Sequence, residues 1–321
     1  SPHPGDLTVM SSPSLPPSAA SDAAETPEEP AALPYDFGPE PDAVRPQRRD
    51  HVTAVLVCAD GARWLPAVLT TLARSERTPH VVVAVDCEST DATGRLLAQA
   101  VEQGVVDEVV TVPPGTPFGT AVAAGVARAT PGSGAWAPSQ QWLWLLHYDA
   151  APAASALEEL LHVSDDQPSV AVAGPKVRGW HDHRLLLECG VTVSRGGARV
   201  TGLERGEQDQ GQRDSVTDVL AVGSAGMLVR RDVWDLLGGF DPGLPRFRQD
   251  VDLCWRARRA GYRVLVTGDA VVHHREASAR GSRPLPDGRT PGRADRAAGL
   301  HLLLAHAGTA AFPVVLLRLL I

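Results

Sequence analysis

The 321 residues carry a net charge of -8, with 43% hydrophobic and 21% charged residues, which suits a globular protein with ample material for a buried core. The acidic balance, without any long Lys/Arg run, argues against a nucleic-acid partner, which needs a basic footprint. The four cysteines, Cys58, Cys87, Cys189 and Cys254, are scattered and form no CxxC pair, which argues against a zinc site or disulfide framework and suits a reducing compartment.

Residues 1–50 are rich in Pro, Ala, Ser and Glu and lack apolar periodicity. Such a stretch cannot bury enough surface to offset its ordering entropy, and it reads as a disordered tail. It shows no signal-peptide pattern. The fold is expected to begin at residues 51–58 (HVTAVLVC), a buried strand closed by a turn at Ala59-Asp60-Gly61. Residues 64–74 have helical spacing. A second buried strand covers 80–85, and Ser89-Thr90-Asp91 opens a helix running to Val101. A third strand is predicted over 105–112, a small-residue helix over 120–129, and a fourth strand over 142–146 (WLWLL). Strand and helix alternating at this spacing imply right-handed crossovers and a parallel sheet. Ligands bind such sheets at the carboxyl ends of the strands, where Asp60, Asp86 and Asp149 fall.

The second half reads as mixed. Helices are expected over 154–162, 232–237 and 250–260, and short strands over 170–172, 190–194, 262–266 and 270–274. Residues 204–215 read as a polar loop, and 219–229 as strand material interrupted by Gly223 and Gly226. Residues 278–296 are rich in Arg, Gly and Pro, have no apolar face, and read as a mobile basic linker. The chain then turns apolar, from Leu300 to Leu304 and through AAFPVVLLRLLI at its end. That final run is shorter than the ~20 residues that span a bilayer, so it reads either as a core or interfacial helix or as the start of a membrane span.

Four patterns carry candidate chemistry. In VDCESTD (85–91), Asp86 at a strand tip can accept hydrogen bonds from a nucleobase or ribose. In LLHYDA (145–150), an apolar strand delivers Asp149 into a pocket, where a carboxylate can hold a divalent cation against a diphosphate. GGFD (238–241) ends in Asp241 and precedes RQDVDLCWRA (248–257). Here Asp250 stands near a helix start, where the dipole stabilises an anion that can take a proton from a hydroxyl. Asp252 and Arg256 are spaced to pair along that helix. His273-His274 closes a strand, where adjacent side chains face opposite ways, so one of the two can face the site.

In this order the four patterns resemble the family 2 inverting glycosyltransferases of the GT-A fold, over roughly residues 51–280. The similarity is nearest to actinobacterial cell-envelope rhamnosyl- and galactofuranosyltransferases, some of which continue into membrane spans. The resemblance implies an α/β GT-A domain with a Rossmann-like nucleotide-sugar-binding half (51–150), a mixed central sheet and an acceptor-binding half (151–280). A basic linker (281–299) and the start of a membrane region (300–321) would follow. It implies Asp60, Asp86 and Asp149 on the donor side, Gln249, Asp241 and Gly226 on the acceptor side, and Asp250 as general base. Asp149 and His274 would hold Mn2+ or Mg2+; His274 is preferred to His273 because it lies nearer the following REAS segment. The implied partners are a nucleotide-sugar donor and a glycan or polyprenyl-linked acceptor. Arginines 275, 280, 283, 289, 293 and 296, beside an apolar run, imply the cytoplasmic face of the plasma membrane.

Two positions depart from the family pattern. His147 or Tyr148 stands where the first acid of the Asp-X-Asp motif is usual, which implies the loss of a ribose or metal contact. Gln249 replaces the Glu beside the base. These departures make a non-catalytic nucleotide- or glycan-binding domain the alternative, against which stand Asp149 and Asp250. A nucleotidyltransferase would want a Gly-rich phosphate loop after the first strand, and CADGARW offers only Gly61.

Overall fold

The computed structural model describes residues 50–129, 136–165, 167–244, 247–281 and 288–307. The expected tail, apart from Asp50, and the apolar run beyond residue 307 lie outside the described residues.

The first half follows the predicted alternation: β1 (His51–Cys58), α1 (Leu65–Ala73), β2 (Val81–Asp86), α2 (Thr93–Glu102), β3 (Glu108–Thr111), α3 (Phe118–Arg128) and β4 (Gln141–His147). These strands lie in the order β3-β2-β1-β4, all parallel. Both sheet faces are covered, which is why the strands read as unbroken apolar runs. Ala54, Leu56, Trp142, Trp144 and Leu146 pack on one face against Leu65, Val68 and Leu72 of α1 and Leu97 of α2. Val55, Val57, Leu143 and Leu145 pack on the other against Ala121, Val122 and Val126 of α3.

The second half makes the sheet mixed. It contains β5 (Ala150–Pro152), α4 (Ala156–His162), β6 (Val170–Gly179), β7 (Leu186–Glu188), β8 (Thr192–Val193), β9 (Arg199–Val200), β10 (Thr217–Asp218), β11 (Leu228–Arg230), α5 (Arg231–Leu237), α6 (Gln249–Arg259), β12 (Arg263–His274) and α7 (Pro291–His306). β11 inserts antiparallel between β4 and β6, and β12 runs parallel to β6. With β5, β7 and β10 the sheet reaches ten strands, while β8 and β9 pair separately as a hairpin. The two short strands expected at 262–266 and 270–274 are one strand, β12, with a register irregularity between Thr267 and Val271. Of the interrupted strand material expected from 219 to 229, β11 forms beyond Gly226, which adopts φ +95 and breaks the extended run. A Cβ there would lie 2.8 Å from Val272.

The expected linker is corrected at its C-terminal end, where α7 crosses the anticipated boundary at 299/300. Pro291 sits in its first turn, a position proline favours. Its buried face, Ala294, Ala298, Gly299 and Leu302, is small apart from Leu302 and does not register as an apolar stripe. Small residues allow close approach: a Cβ on Gly299 would come within 2.4 Å of the Gly197 carbonyl in the β8–β9 turn. Arg248 donates from both Nε and Nη2 to Asp295, at 2.6 Å each. His306 pairs with Asp252 at 2.8 Å and stacks on Trp255. No helix among the described residues is long and apolar enough to cross a membrane.

Candidate active site

The carboxyl ends of β1, β4 and β12 open on a cavity of about 470 Å³. Asp149, Asp250, Gln249 and His274 line it, together with His147, Glu188, Arg199 and Ser224.

At one end of the cavity three potential ligands converge. His147 ends β4, Asp149 sits in the turn before β5, and His274 ends β12. β5 and β12 pair with Ala150 opposite His274, so the sheet ladder itself brings Asp149 beside His274. The His274 Nε2 stands 3.3 Å from Asp149 Oδ1, and the backbone N–H of Ala277 donates to Asp149 Oδ2 at 2.8 Å. Ligand atoms of all three residues lie within 4.8 Å of one another. Burial raises the Asp149 pKa, but the attraction of His274 and their hydrogen bond outweigh it and leave the carboxyl well below the usual range. Burial lowers His274 in turn, and Asp149 overcomes that and holds it above its ordinary value. For His147, burial and then the His274 charge push the pKa down to about 4. That imidazole is therefore neutral at physiological pH, the form that ligates metal. Two imidazoles and a carboxylate fit a divalent cation. His147, in the place of the usual first acid, thus supplies a third potential ligand. His274 lines this site, whereas the His273 ring packs tilted against His183, centroids 4.1 Å apart.

At the other end Asp250 stands in the first turn of α6, among acids that complement the dipole. Its Oδ1 accepts from the Val251 N–H at 2.8 Å and its Oδ2 from Arg199 Nη1 at 3.0 Å. Gln249 is buried and accepts from the Gly119 N–H at 3.1 Å, tying α6 to the start of α3.

The remaining expected site residues are placed less directly. Asp60 and Asp86 flank the cavity beside lining residues Ala59 and Cys87. Asp60 is exposed, and its Oδ1 accepts from the Thr90 N–H at 2.7 Å. Asp86 Oδ1 accepts from the Ser89 hydroxyl at 2.5 Å. The Asp60 N–H donates in turn to the Ser89 hydroxyl at 2.9 Å, so the bonds of Asp60 join the β1–α1 and β2–α2 loops into one rim. Asp241 and Gly226, expected on the acceptor side, are not among the residues that line the cavity, although Gly226 follows lining residue Ala225. The Asp241 carboxylate accepts from the Gly243 N–H in its own turn, and the Gly226 carbonyl accepts from the Trp144 indole. Sequence reasoning missed Arg199 and Glu188, because they lie 51 and 62 positions from Asp250 with no local motif around them. It also missed Ser224, whose hydroxyl lies 3.0 Å from His147 Nε2.

A family model described as glycosyltransferase like family 2 matches residues 48–283. Solved structures share the GT-A fold at low identity. The structure of GalNAc-T7 with UDP, GalNAc and Mn2+ aligns at a TM-score of 0.56 and 15% identity, over 70% of this chain and 43% of that one. S. aureus TarS 1-349 with UDP-GlcNAc aligns at 0.54 and 15%, over 84% and 71%. The mannosyltransferase PcManGT from Pyrobaculum calidifontis with GDP-Man and Mn2+ aligns at 0.50 and 17%, over 85% and 80%. An uncharacterized protein, y4gI of Sinorhizobium fredii, is 34% identical over 70 residues, or 22% of this chain and 8% of that protein.

Proposed function

The chain belongs to glycosyltransferase-like family 2, and from that premise we propose that it is an inverting glycosyltransferase. It moves a sugar from a nucleoside-diphosphate sugar to a hydroxyl of a cell-envelope glycan or polyprenyl-linked acceptor, in the manner of the actinobacterial enzymes its motifs resemble. One observation carries the reading: Asp250 and the His147, Asp149 and His274 cluster line the same cavity. A carboxylate that can take a proton therefore shares its cavity with a site that can hold a cation. The ligands of the structural neighbours, UDP, UDP-GlcNAc and GDP-Man with Mn2+ in two of the three, support a donor of this class.

In the reaction the acceptor hydroxyl oxygen forms a bond to the anomeric carbon as the bond from that carbon to the phosphate oxygen breaks. The hydroxyl proton passes to Asp250, and the nucleoside diphosphate leaves with the bonding electron pair. One displacement inverts the anomeric centre. A carboxylate offers about four lone-pair sites; the bonds from Val251 and Arg199 occupy two of Asp250's, leaving room for the acceptor hydroxyl. His147, Asp149 and His274 would hold a divalent cation, which offsets the charge building on the departing diphosphate. The rim of Asp60 and Asp86 receives the nucleoside. We place the reaction at the cytoplasmic face of the plasma membrane, supported by the run of arginines before an apolar C-terminal sequence.

The test is a hydrolysis screen over UDP-, GDP- and dTDP-sugars, with and without Mn2+. Release of one nucleoside diphosphate that is stimulated by Mn2+ supports the reading. Binding of these donors without release, in the presence of glycan acceptors as well, supports a non-catalytic domain instead.

A further inference from the structure

Asp250 lies against a charged side chain delivered from far along the chain. Arg199, on β9, donates from Nη1 to Asp250 Oδ2 at 3.0 Å and from Nη2 to Glu188 Oε2 at 2.6 Å. The other Glu188 oxygen accepts from the Gly223 N–H at 2.6 Å, so Glu188 is itself anchored. Side-chain exposures are 25% for Arg199, 13% for Glu188 and 11% for Asp250, and all three line the cavity. The planar guanidinium fixes both bond directions at once, so the position of Asp250 depends on where Arg199 stands. The β8–β9 hairpin that carries Arg199 stands apart from the ten-stranded sheet. Its turn instead packs on α7, where a Cβ on Gly197 would lie 2.6 Å from the Gly299 carbonyl.

We propose that Arg199 is a positioning residue for Asp250, and that the Gly197–Gly299 contact with α7 sets where Arg199 stands. The inference rests on the reading of Asp250 as the base. Arg199 acts through Asp250, to which it is hydrogen-bonded. It holds the carboxylate aimed at the acceptor hydroxyl, with Glu188 fixing its other side. Helix α7, which extends past the family match at residue 283, is thereby part of the site's support.

The experiment compares Arg199→Met, Arg199→Lys, Gly299→Ala and Asp250→Asn in the full chain. It measures donor turnover, affinity for the nucleoside diphosphate with Mn2+, and thermal unfolding. A misaligned reacting group costs on the order of 10²-fold in rate. Arg199→Met is expected to lose kcat by about that factor with diphosphate affinity unchanged, and to unfold at a lower temperature because Asp250 and Glu188 lose the cation between them. Arg199→Lys, which keeps the charge but not the fork, is expected to recover part of the loss. Gly299→Ala, remote from the reacting groups, would press its Cβ on the Gly197 carbonyl and is expected to lower both kcat and the unfolding midpoint, with diphosphate affinity unchanged. If Arg199→Met does not fold, Arg199→Lys and Gly299→Ala carry the test, and wild-type kcat in both overturns the proposal. Wild-type kcat in a folded Arg199→Met, or equal losses of kcat and diphosphate affinity, overturns it as well. Full turnover in Asp250→Asn would instead remove the base reading. An inactive Asp250→Asn beside a fully active Arg199→Met removes only the positioning role.

Discussion

The two ends of the cavity are held by different kinds of structure. The His147, Asp149 and His274 end is set by the sheet: β4 and β12 deliver the imidazoles, and the β5–β12 pairing brings Asp149 beside His274. The Asp250 end has no ladder between its parts. Glu188 ends a three-residue strand, Arg199 starts a two-residue strand, and Asp250 sits in a helix's first turn. Ion pairs and α7 join them. The sheet-built end is therefore expected to keep its geometry through changes that disable the other, because backbone ladders are cooperative and side-chain pairs are lost singly.

The largest effect expected is at the base. Asp250→Asn keeps the shape but cannot accept the proton, and general-base loss costs ~10²- to 10⁴-fold in rate. Steady-state kinetics should show this fall while calorimetry finds donor affinity preserved, separating the two ends. At the sheet-built end, Asp149→Ala should weaken Mn2+-dependent binding of the nucleoside diphosphate. Loss of a partner of a ligand costs at least ~10-fold in metal affinity, and loss of the ligand itself should cost no less. Equal wild-type affinity in Mn2+ and in EDTA would break this half of the comparison.

A smaller effect probes the packing beneath Asp149. A Cβ on Gly61 would lie 2.6 Å from the ring of Tyr148, the residue before Asp149. Gly61→Ala is expected to destabilise by ~1–3 kcal/mol, as overpacking does, and to weaken donor binding, read by thermal unfolding and calorimetry. The smallest effect is confined to acid and to the other end. Burial raises the Asp252 pKa, but hydrogen bonds from His306 and Arg256 outweigh it and hold the carboxyl below its usual range. Its folded-state pKa thus lies below the unfolded value. Its contribution is complete above about pH 3.9 and is lost as the pH falls through the folded-state value. Asp252→Asn should flatten the acid limb of stability measured by denaturant unfolding, where the wild-type limb is steep.

The same contrast governs what the sequence makes legible. The strands of the first half are local runs of Val, Leu and Trp buried on both faces, so β1, β2 and β4 can be read within a residue or two. Asp149 and His274 are visible because a strand end is a local feature. β7 to β10 are two or three residues long, and long-range pairing rather than propensity decides them. Asp241 and Gly226 look like site residues within their motifs, but a motif does not say which way a side chain points. Asp241 turns into its own loop, and Gly226 serves backbone geometry. Arg199 and Glu188 cannot be read in sequence, since only the fold sets them against Asp250. The helical face of α7 is hidden because Ala and Gly make most of its contact, with Leu302 the one large apolar residue buried on it.

The most direct test of the central claim follows the anomeric signal of the product by proton NMR, using the donor found in the hydrolysis screen with Mg2+ in place of paramagnetic Mn2+. The account predicts that the sugar first appears with the configuration opposite to that in the donor, and that Asp250→Asn removes this signal. Retained configuration, or inverted product formed at the wild-type rate by Asp250→Asn, would contradict it.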